Sequence, residues 1–244
     1  MKIVATIEAR MTSSRLPGKV LLPANGKPML EHLINRLMSV PSLNEIVLAT
    51  TVNSSDDCLV EVASQKGIAC YRGSENDVMD RVIRAADSVQ AEIVVEITGD
   101  CPVIDPLIIE HTIRMFFHND CDYISNAQIE SYPGGMDTQV YRLSTLKKSA
   151  AMTDDALDHE HVTLHIRKNP GLFRHLYLIA PPDLTWPDLH LTLDEPKDYE
   201  LIRNVIEHFG EVNPLFTCAD IINLLREKSE WRAINMEVKR KYDT

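Results

Sequence analysis

The sequence predicts an α/β fold built on a mostly parallel sheet, and three observations carry that prediction. Over residues 2–117, short β-branched apolar runs alternate with segments of helical periodicity, the pattern of parallel strands joined by right-handed helical crossovers. The chain has 244 residues, of which 44% are hydrophobic and 25% charged, enough for a sizeable core. It contains no run of about 18 apolar residues, so a membrane-spanning helix is not expected.

Each element follows from its local pattern. Residues 2–8 (KIVATIE) have the composition of a buried strand. Residues 28–40 carry Met29, Leu30, Leu33, Ile34 and Leu37 at helical spacing, with Pro28 suited to the first helical position. Residues 45–50 (EIVLAT) predict a second strand, and 55–66 a helix with a Ser or Asp cap and Leu59, Val62 and Ala63 inward. Residues 68–71 predict a short strand, and 76–89 a helix through Val78, Met79, Val82, Ile83 and Ala86. Residues 92–97 (EIVVEI) complete the strands of the first half, and 106–117 a helix entered at Pro106. In such sheets ligands bind beyond the carboxyl ends of the strands, where loops 9–19, 50–57 and 98–105 fall.

The second half is less regular. A short strand is expected at 122–125. Tyr132-Pro133-Gly134-Gly135 marks a turn, and the following MDTQVY alternates like an exposed strand. A helix is expected at 157–169, strands at 174–179 and 189–193, and helices at 196–208 and 217–228. With no internal repeat, low-complexity tract or long linker, the economical reading is one domain over 1–244 with an inserted excursion around 126–182.

The formal net charge is −11, from 25 basic and 36 acidic side chains, which disfavours nucleic acid as a partner. A small anionic ligand requires a local concentration of positive charge. The N-terminal apolar stretch is interrupted at Glu8 and Arg10, unlike a signal peptide. Five cysteines, an odd number with no CxxC pair, argue against a disulfide framework or a zinc knuckle, and a reducing cytoplasm is the expected setting.

The positive charge is concentrated in the loop after the first strand. Ala9-Arg10-Met11-Thr12-Ser13-Ser14-Arg15-Leu16-Pro17-Gly18-Lys19 sets three cations and three hydroxyls close together, a composition suited to a triphosphate. Neither GxxxxGK[ST] nor GxGxxG is present. Three cations alone fit a solvated polar loop equally well. Asp100 and Asp194 each end an expected strand, so they could converge on a hard divalent cation such as Mg2+. Taken singly, Asp194 also suits a helix N-cap and Asp100 a turn.

The ordered set of motifs resembles a known family. Ala9-Arg10, Ser14-Arg15-Leu16-Pro17-Gly18-Lys19 and Gly26-Lys27-Pro28-Met29 are similar to the start of CMP-sugar synthetases, the cytidylyltransferases of the Kdo and sialic acid type, with the spore-coat polysaccharide (SpsF-like) branch most alike. The resemblance continues through Arg72-Gly73-Ser74-Glu75-Asn76-Asp77-Val78-Met79-Asp80-Arg81, Thr98-Gly99-Asp100-Cys101-Pro102 and Asp122-Tyr123-Ile124-Ser125-Asn126. It resumes at Glu160-His161-Val162-Thr163 and Leu193-Asp194-Glu195-Pro196-Lys197-Asp198-Tyr199, and so covers about residues 1–203. It implies a three-layer fold of the nucleotide-diphospho-sugar transferase type (GT-A-like, Rossmann-like). The implied reaction transfers CMP from CTP to a sugar such as a keto-sugar acid, with pyrophosphate release, in surface polysaccharide or glycan synthesis.

The resemblance also implies roles. Arg10, Arg15 and Lys19 would hold the triphosphate and, with Asp100, form the catalytic set. Ser13 and Ser14 would line the same loop, and Arg72 and Asp77 would lie near the base or ribose. Asp100 and Asp194 would bind Mg2+, and Glu160 and His161 would contact the sugar. The Met136-Asp137-Thr138-Gln139-Val140 stretch departs from the family, which usually has an acidic residue where Gln139 stands; Asp137 and Gln139 are therefore acceptor-side candidates whose departure bears on acceptor identity. Homodimers formed through the excursion are common in the family, and the alternation at 136–141 could serve such pairing or be an ordinary hairpin. His159 and His161, two residues apart, should occupy different helix faces, and HExxH is absent.

Two other readings share the loop. A GT-A-type glycosyltransferase would commonly carry a DxD motif, whereas Thr98-Gly99-Asp100-Cys101-Pro102 has one aspartate. A non-catalytic nucleotide-binding module need not keep both Asp100 and Asp194. The basic tail with Lys228, Arg232, Lys239, Arg240 and Lys241 is either an anion-binding segment or a solvated end, and Trp231 could pin it to the body.

Overall fold

The computed structural model describes residues 1–210 and 212–239; Arg240 and Lys241 of the basic tail lie outside the described residues. In chain order the elements are β1 (Ile3–Glu8), β2 (Pro23–Ala24), β3 (Lys27–Pro28), α1 (Met29–Met38), β4 (Glu45–Thr51), α2 (Asp57–Lys66), β5 (Ala69–Gly73), α3 (Val78–Ser88), β6 (Ile93–Thr98) and α4 (Pro106–His118). They continue as β7 (Tyr123–Ser125), β8 (Gln139–Arg142), α5 (Leu143–Ala150), α6 (Ala156–Glu160), α7 (Leu164–Lys168), β9 (His175–Tyr177), α8 (Pro196–Phe209), α9 (Cys218–Glu227) and α10 (Ser229–Arg232).

Seven strands form one sheet in the order β5-β4-β1-β6-β8-β7-β9, with β2 and β3 as a separate antiparallel pair. The first four are mutually parallel, as the alternating sequence requires. β8 runs antiparallel to both β6 and β7, and β9 returns parallel to β7. This is the expected α/β, mostly parallel architecture. Helices cover both faces. α1, α2 and α4 pack on one side through Leu33, Ile34, Leu59 and Ile113, and α3, α5 and α7 on the other through Met79, Val82, Leu146 and Ile166. A further apolar cluster joins α8 and α9 to the segment 189–193 through Leu191, Leu193, Ile202 and Ile222. No helix among the described residues is long and apolar enough to cross a membrane.

Four expectations need correction. Pro28 is not the first residue of α1; it is the extended N-cap and pairs within the β2–β3 ribbon, so the helix begins at Met29. The 136–141 stretch is not an exposed strand. β8 is paired on both edges, by β6 and β7, so the expected pairing of this stretch with a second chain has no open edge to use. The sheet ends instead at β5 and β9. The helix expected at 157–169 is two short helices, broken at Val162, whose φ of 41° lies in the left-handed region that a β-branched residue rarely occupies. Residues 189–193 do not form a strand; one isolated bridge between Gly134 and His190 is all the pairing present among the described residues.

The excursion expected at 126–182 is in part woven into the sheet, since β8 and β9 both belong to it. The carboxyl ends of β1 and β6 meet closely. Gly99 donates its backbone N–H to the Glu8 carbonyl at 2.9 Å, and a Cβ at Gly99 would stand 2.8 Å from that oxygen and 2.9 Å from the Ala9 Cβ. Only glycine lets Asp100 and the loop that starts at Ala9 come this near.

Candidate active site

The loop after β1 is shaped by two ties. Gly18, in the left-handed region at φ 69°, donates its N–H to the Met11 carbonyl at 3.0 Å and closes the loop on itself. Met11 in turn donates its backbone N–H to Asp56, at 2.9 Å. Asp56 is fully buried and also accepts the hydroxyls of Thr50 and Thr51, at 3.0 and 2.6 Å. Burial alone would raise the Asp56 pKa, but these donors outweigh it and hold the carboxyl below its ordinary value. The residue that resembles a helix cap in sequence therefore fastens the loop to the end of β4.

The loop forms one wall of a cleft of about 720 Å3 at the carboxyl ends of β1 and β6. Arg10, Ser13, Ser14, Arg15 and Lys19 all line it, and so do Asp100 and Asp194 from the opposite side. The Lys19 ammonium donates to Asp100 Oδ2 and to Asp194 Oδ1, each at 2.9 Å. Burial opposes the Lys19 charge, yet the two carboxylates more than compensate and raise its pKa; reciprocally, Lys19 overcomes the burial of Asp100 and lowers that carboxyl. Arg15 adds a 2.8 Å ion pair to the same Asp194 oxygen.

Asp194 is free for this role because α8 is capped by other groups. Asp198 Oδ2 accepts the backbone N–H groups of Glu195 and Asp194, at 2.9 and 3.3 Å, and Glu195 occupies the N-cap position. The helix-cap reading of Asp194 is thereby excluded. Both carboxylates lie within hydrogen-bond distance of one ammonium, so they converge on the same point of the cleft. Two hard oxygen donors beside a pocket for phosphate oxygens are a donor set that fits Mg2+. No cluster of three or more His, Cys, Asp or Glu side chains suited to a metal occurs among the described residues, so an all-protein metal cage is not what this site offers.

Beyond Asp100 the cleft changes character. Its floor carries Glu8 on β1 and Glu96 on β6, with Gln139 on β8 and Glu160, His161, Val162 and Arg167 from the α6–α7 segment. Glu96 is buried and saturated: it accepts from Gln139 Nε2 at 3.0 Å and from the Tyr141 hydroxyl at 2.6 Å. Burial pushes the Glu96 carboxyl up to about 7. Glu8 is raised well above its ordinary value by burial and then by Glu96, and its Oε1 is buried without a hydrogen-bond partner. Gln139 is equally committed, since its Oε1 accepts the Tyr123 and Thr163 hydroxyls at 2.5 and 2.7 Å. Its amide orients Glu96 with both ends spoken for. Arg167 presents a buried Nε with no partner.

Some sequence candidates do not line the cleft. Arg72 spends its guanidinium on the Thr51 and Asn53 carbonyls and on Asp57, bracing the 51–57 loop. Asp77 caps α3 by accepting the Asp80 N–H at 2.8 Å, and it also pairs with His159 at 2.9 Å. His159 and His161 do face different ways, His159 toward α3 and His161 into the cleft. Asp137 is not part of the lining. It is exposed, and dense protein atoms around it together with the charge of Asp100 push its carboxyl above the ordinary value. Cys101, next to Asp100, is buried, and its thiol is raised well above the ordinary value by burial and by Asp100, which disfavours the thiolate.

Sequence reasoning missed Asp56, Glu8, Glu96 and Glu75. Glu75 accepts from Arg10 at 3.1 Å, from Thr12 at 2.7 Å and from Asn53 at 2.7 Å, and so steadies the outer side of the loop. For Glu8 and Glu96 a signal was available: Glu8 closes the uncharged run 3–7, and Glu96 interrupts the apolar run 93–97, both with the composition of a buried strand.

Comparison with known proteins identifies relatives along nearly the whole length. The family model for cytidylyltransferases matches residues 4–219. An uncharacterized protein of Methanocaldococcus jannaschii is 34% identical over 241 residues, covering 99% of this chain and 97% of the relative. The spore coat polysaccharide biosynthesis protein SpsF of Bacillus subtilis is 32% identical over 235 residues, covering 93% and 95% respectively. Among solved structures, a cytidylyltransferase from Leptospira borgpetersenii superposes with a TM-score of 0.90 at 29% identity, over 99% of each chain.

Proposed function

The chain belongs to the cytidylyltransferase family, and from that premise we propose that it transfers CMP from CTP to a hydroxyl group of a sugar acid, releasing pyrophosphate. The observation that carries this reading is Lys19 bridging Asp100 and Asp194 inside a cleft edged by Arg10 and Arg15. A cytidylyltransferase needs cations for a triphosphate and carboxylates for a divalent metal at one point, and this cleft supplies both.

The acceptor oxygen forms a bond to the α-phosphorus while the bond from that phosphorus to the bridging oxygen of the β-phosphate breaks. Pyrophosphate leaves with the electron pair, and the acceptor proton passes to solvent. Such a transfer depends on positioning and on stabilising charge more than on a protein nucleophile. Arg10, Arg15 and Lys19 bind the polyphosphate, with Ser13 and Ser14 in the same wall. Asp100 and Asp194 would hold Mg2+, which when bound supplies charge neutralisation for the departing pyrophosphate. The Glu8–Glu96–Gln139 floor, with Glu160, His161 and Arg167, is the part of the cleft left for the acceptor. Arg167, with an unpaired buried N–H, is the group there that suits an acceptor carboxylate.

A panel of four nucleoside triphosphates against keto-sugar acids, read by pyrophosphate release with and without Mg2+, tests the reading. Turnover with CTP and Mg2+ is expected. Turnover with UTP or ATP and none with CTP would overturn the base assignment.

A further inference from the structure

Residues 233–239 return to the site. After α10, the chain turns through Ala233–Asn235, and Asn235 is buried. Its side-chain amide donates to the His190 carbonyl at 2.9 Å and to Asp198 Oδ1 at 2.7 Å. Asp198 is the residue whose other oxygen holds the backbone of Asp194 and Glu195. One buried carboxylate thus fixes both the Asp194 segment and the tail. Trp231 packs against the α8–α9 cluster just upstream, and Val238 donates to the Asn235 carbonyl at 3.2 Å. Four residues past the Asn235 anchor, Lys239 joins Arg15, Lys19 and Asp194 in the lining of the cleft. It is exposed and forms no ion pair among the described residues, whereas Arg10, Arg15 and Lys19 each already face a carboxylate.

We propose that residues 233–239 are a built part of the polyphosphate site: Asn235 latches the tail to Asp198, and Lys239 brings a fourth cation to the phosphates of the nucleotide. The proposal rests on the nucleotidyl-transfer reading of the cleft. The three loop cations each face a carboxylate among Glu75, Asp100, Asp194 and Glu195, so the attraction of Lys239 for a polyphosphate is less offset than theirs. Its tether, four residues upstream, runs through Asp198 to the Asp194 backbone, and this ties it to the phosphate end of the cleft rather than to the acceptor end.

The test compares Lys239→Gln, Lys239→Arg, Asn235→Ala and the double variant Asn235→Ala/Lys239→Gln with the parent protein. Binding of pyrophosphate and of CMP in the presence of MgCl2 is measured by calorimetry, and KM is measured for CTP and for the acceptor. Lys239→Gln should weaken pyrophosphate binding and raise KM for CTP by roughly 5- to 10-fold, the scale of one partly exposed charge-assisted contact. CMP binding and KM for the acceptor should stay within twofold, and Lys239→Arg should restore pyrophosphate binding. Asn235→Ala should reproduce the loss, and the double variant should be no worse than Asn235→Ala, because Lys239 acts only from the latched tail. Parent-like pyrophosphate binding in Lys239→Gln would overturn the proposal, as would additive losses in the double variant. Lys239 is exposed, so its substitution tests the idea even where Asn235→Ala lowers stability. Failure of the parent protein to bind CTP at all would instead remove the functional reading, and this inference with it.

Discussion

At the Lys19 end of the cleft every carboxylate has a cation against it, while at the Glu96 end two carboxyls stand together on adjacent strands, Glu96 held by neutral donors and Glu8 with a buried oxygen that has no donor. Asp100 and Asp194 share Lys19, Asp194 also meets Arg15, and their side chains remain partly open to solvent. Glu96 is enclosed by Gln139 and Tyr141, with Glu8 beside it. The first arrangement consists of ion pairs whose partners are within reach of water, so they can exchange partners when a ligand arrives. The second is a fixed network in which burial favours the protonated form, and a change of partner there costs desolvation. One end is therefore built to be rearranged by a ligand, the other to keep its shape.

That contrast can be broken most severely at Asp100. Asp100→Asn should lower turnover by at least ~1,000-fold, the scale of removing a group that serves charge stabilisation directly. The thermal midpoint should move little, because Lys19 keeps Asp194 as a partner. Steady-state pyrophosphate release alongside a thermal melt checks both halves, and near-parental turnover would remove Asp100 from the chemistry.

A change at Gln139 examines the fixed end. Gln139→Glu replaces the amide that donates to Glu96 with a third carboxyl, yet it keeps an acceptor for Tyr123 and Thr163. The Glu96 carboxyl, raised in the folded protein to about 7, contributes stability that is fully present below the unfolded carboxylate range and is lost as pH rises through about 7. Adding a further carboxyl steepens that loss. The variant should match the parent near pH 5 and fall below it by about 2 kcal/mol, roughly 5 °C in thermal midpoint, by pH 8. Melts across that range decide it; a pH-independent difference would mean that charge is not the cause.

The smallest effect is expected where the exchangeable end is anchored. Asp56→Asn keeps one carbonyl oxygen for the Met11 N–H and the threonine hydroxyls, so stability should drop by about 1 kcal/mol and KM for CTP should rise a few-fold. Unfolding in urea and initial rates at varied CTP measure the two quantities. An unchanged KM would show that the loop holds its position without this tie.

The two ends also differed in how far the sequence exposed them. The loop from Arg10 to Lys19 is contiguous, so its charge is visible in one glance, and Asp100 and Asp194 follow apolar stretches whose ends are easy to mark. The fixed end is assembled from β1, β6, β8 and the α6–α7 segment, and Glu8, Glu96, Gln139 and Arg167 lie far apart in the chain. The 136–141 stretch looked like a solvated strand because Asp137 and Gln139 give MDTQVY an alternating pattern. In the folded protein Gln139 is polar because its partner is a buried carboxylate, which periodicity cannot distinguish from water. Asp56 was hidden differently: its place before a helix suggested a cap, and only the fold brings Met11 to it. The break at Val162 was invisible because nothing local in a β-branched residue announces a positive φ. For the first 118 residues, by contrast, strands buried on both faces and helices with one apolar face leave little ambiguity, and the elements fall within a few residues of expectation.

The placement of β8 between β6 and β7 also bears on how the chain is made. Once residue 98 has left the ribosome, β5, β4, β1 and β6 can assemble as a parallel block. The strand that covers the β6 edge is not synthesised until residues 139–142. Through that interval the backbone of Ile93, Val94, Val95 and Glu96 is an unpaired edge in a mostly apolar strand, the kind of surface on which nascent chains associate. Synthesis that stalls between residues 98 and 139 leaves that edge exposed, and a truncation ending there produces an aggregation-prone half-sheet rather than a smaller enzyme.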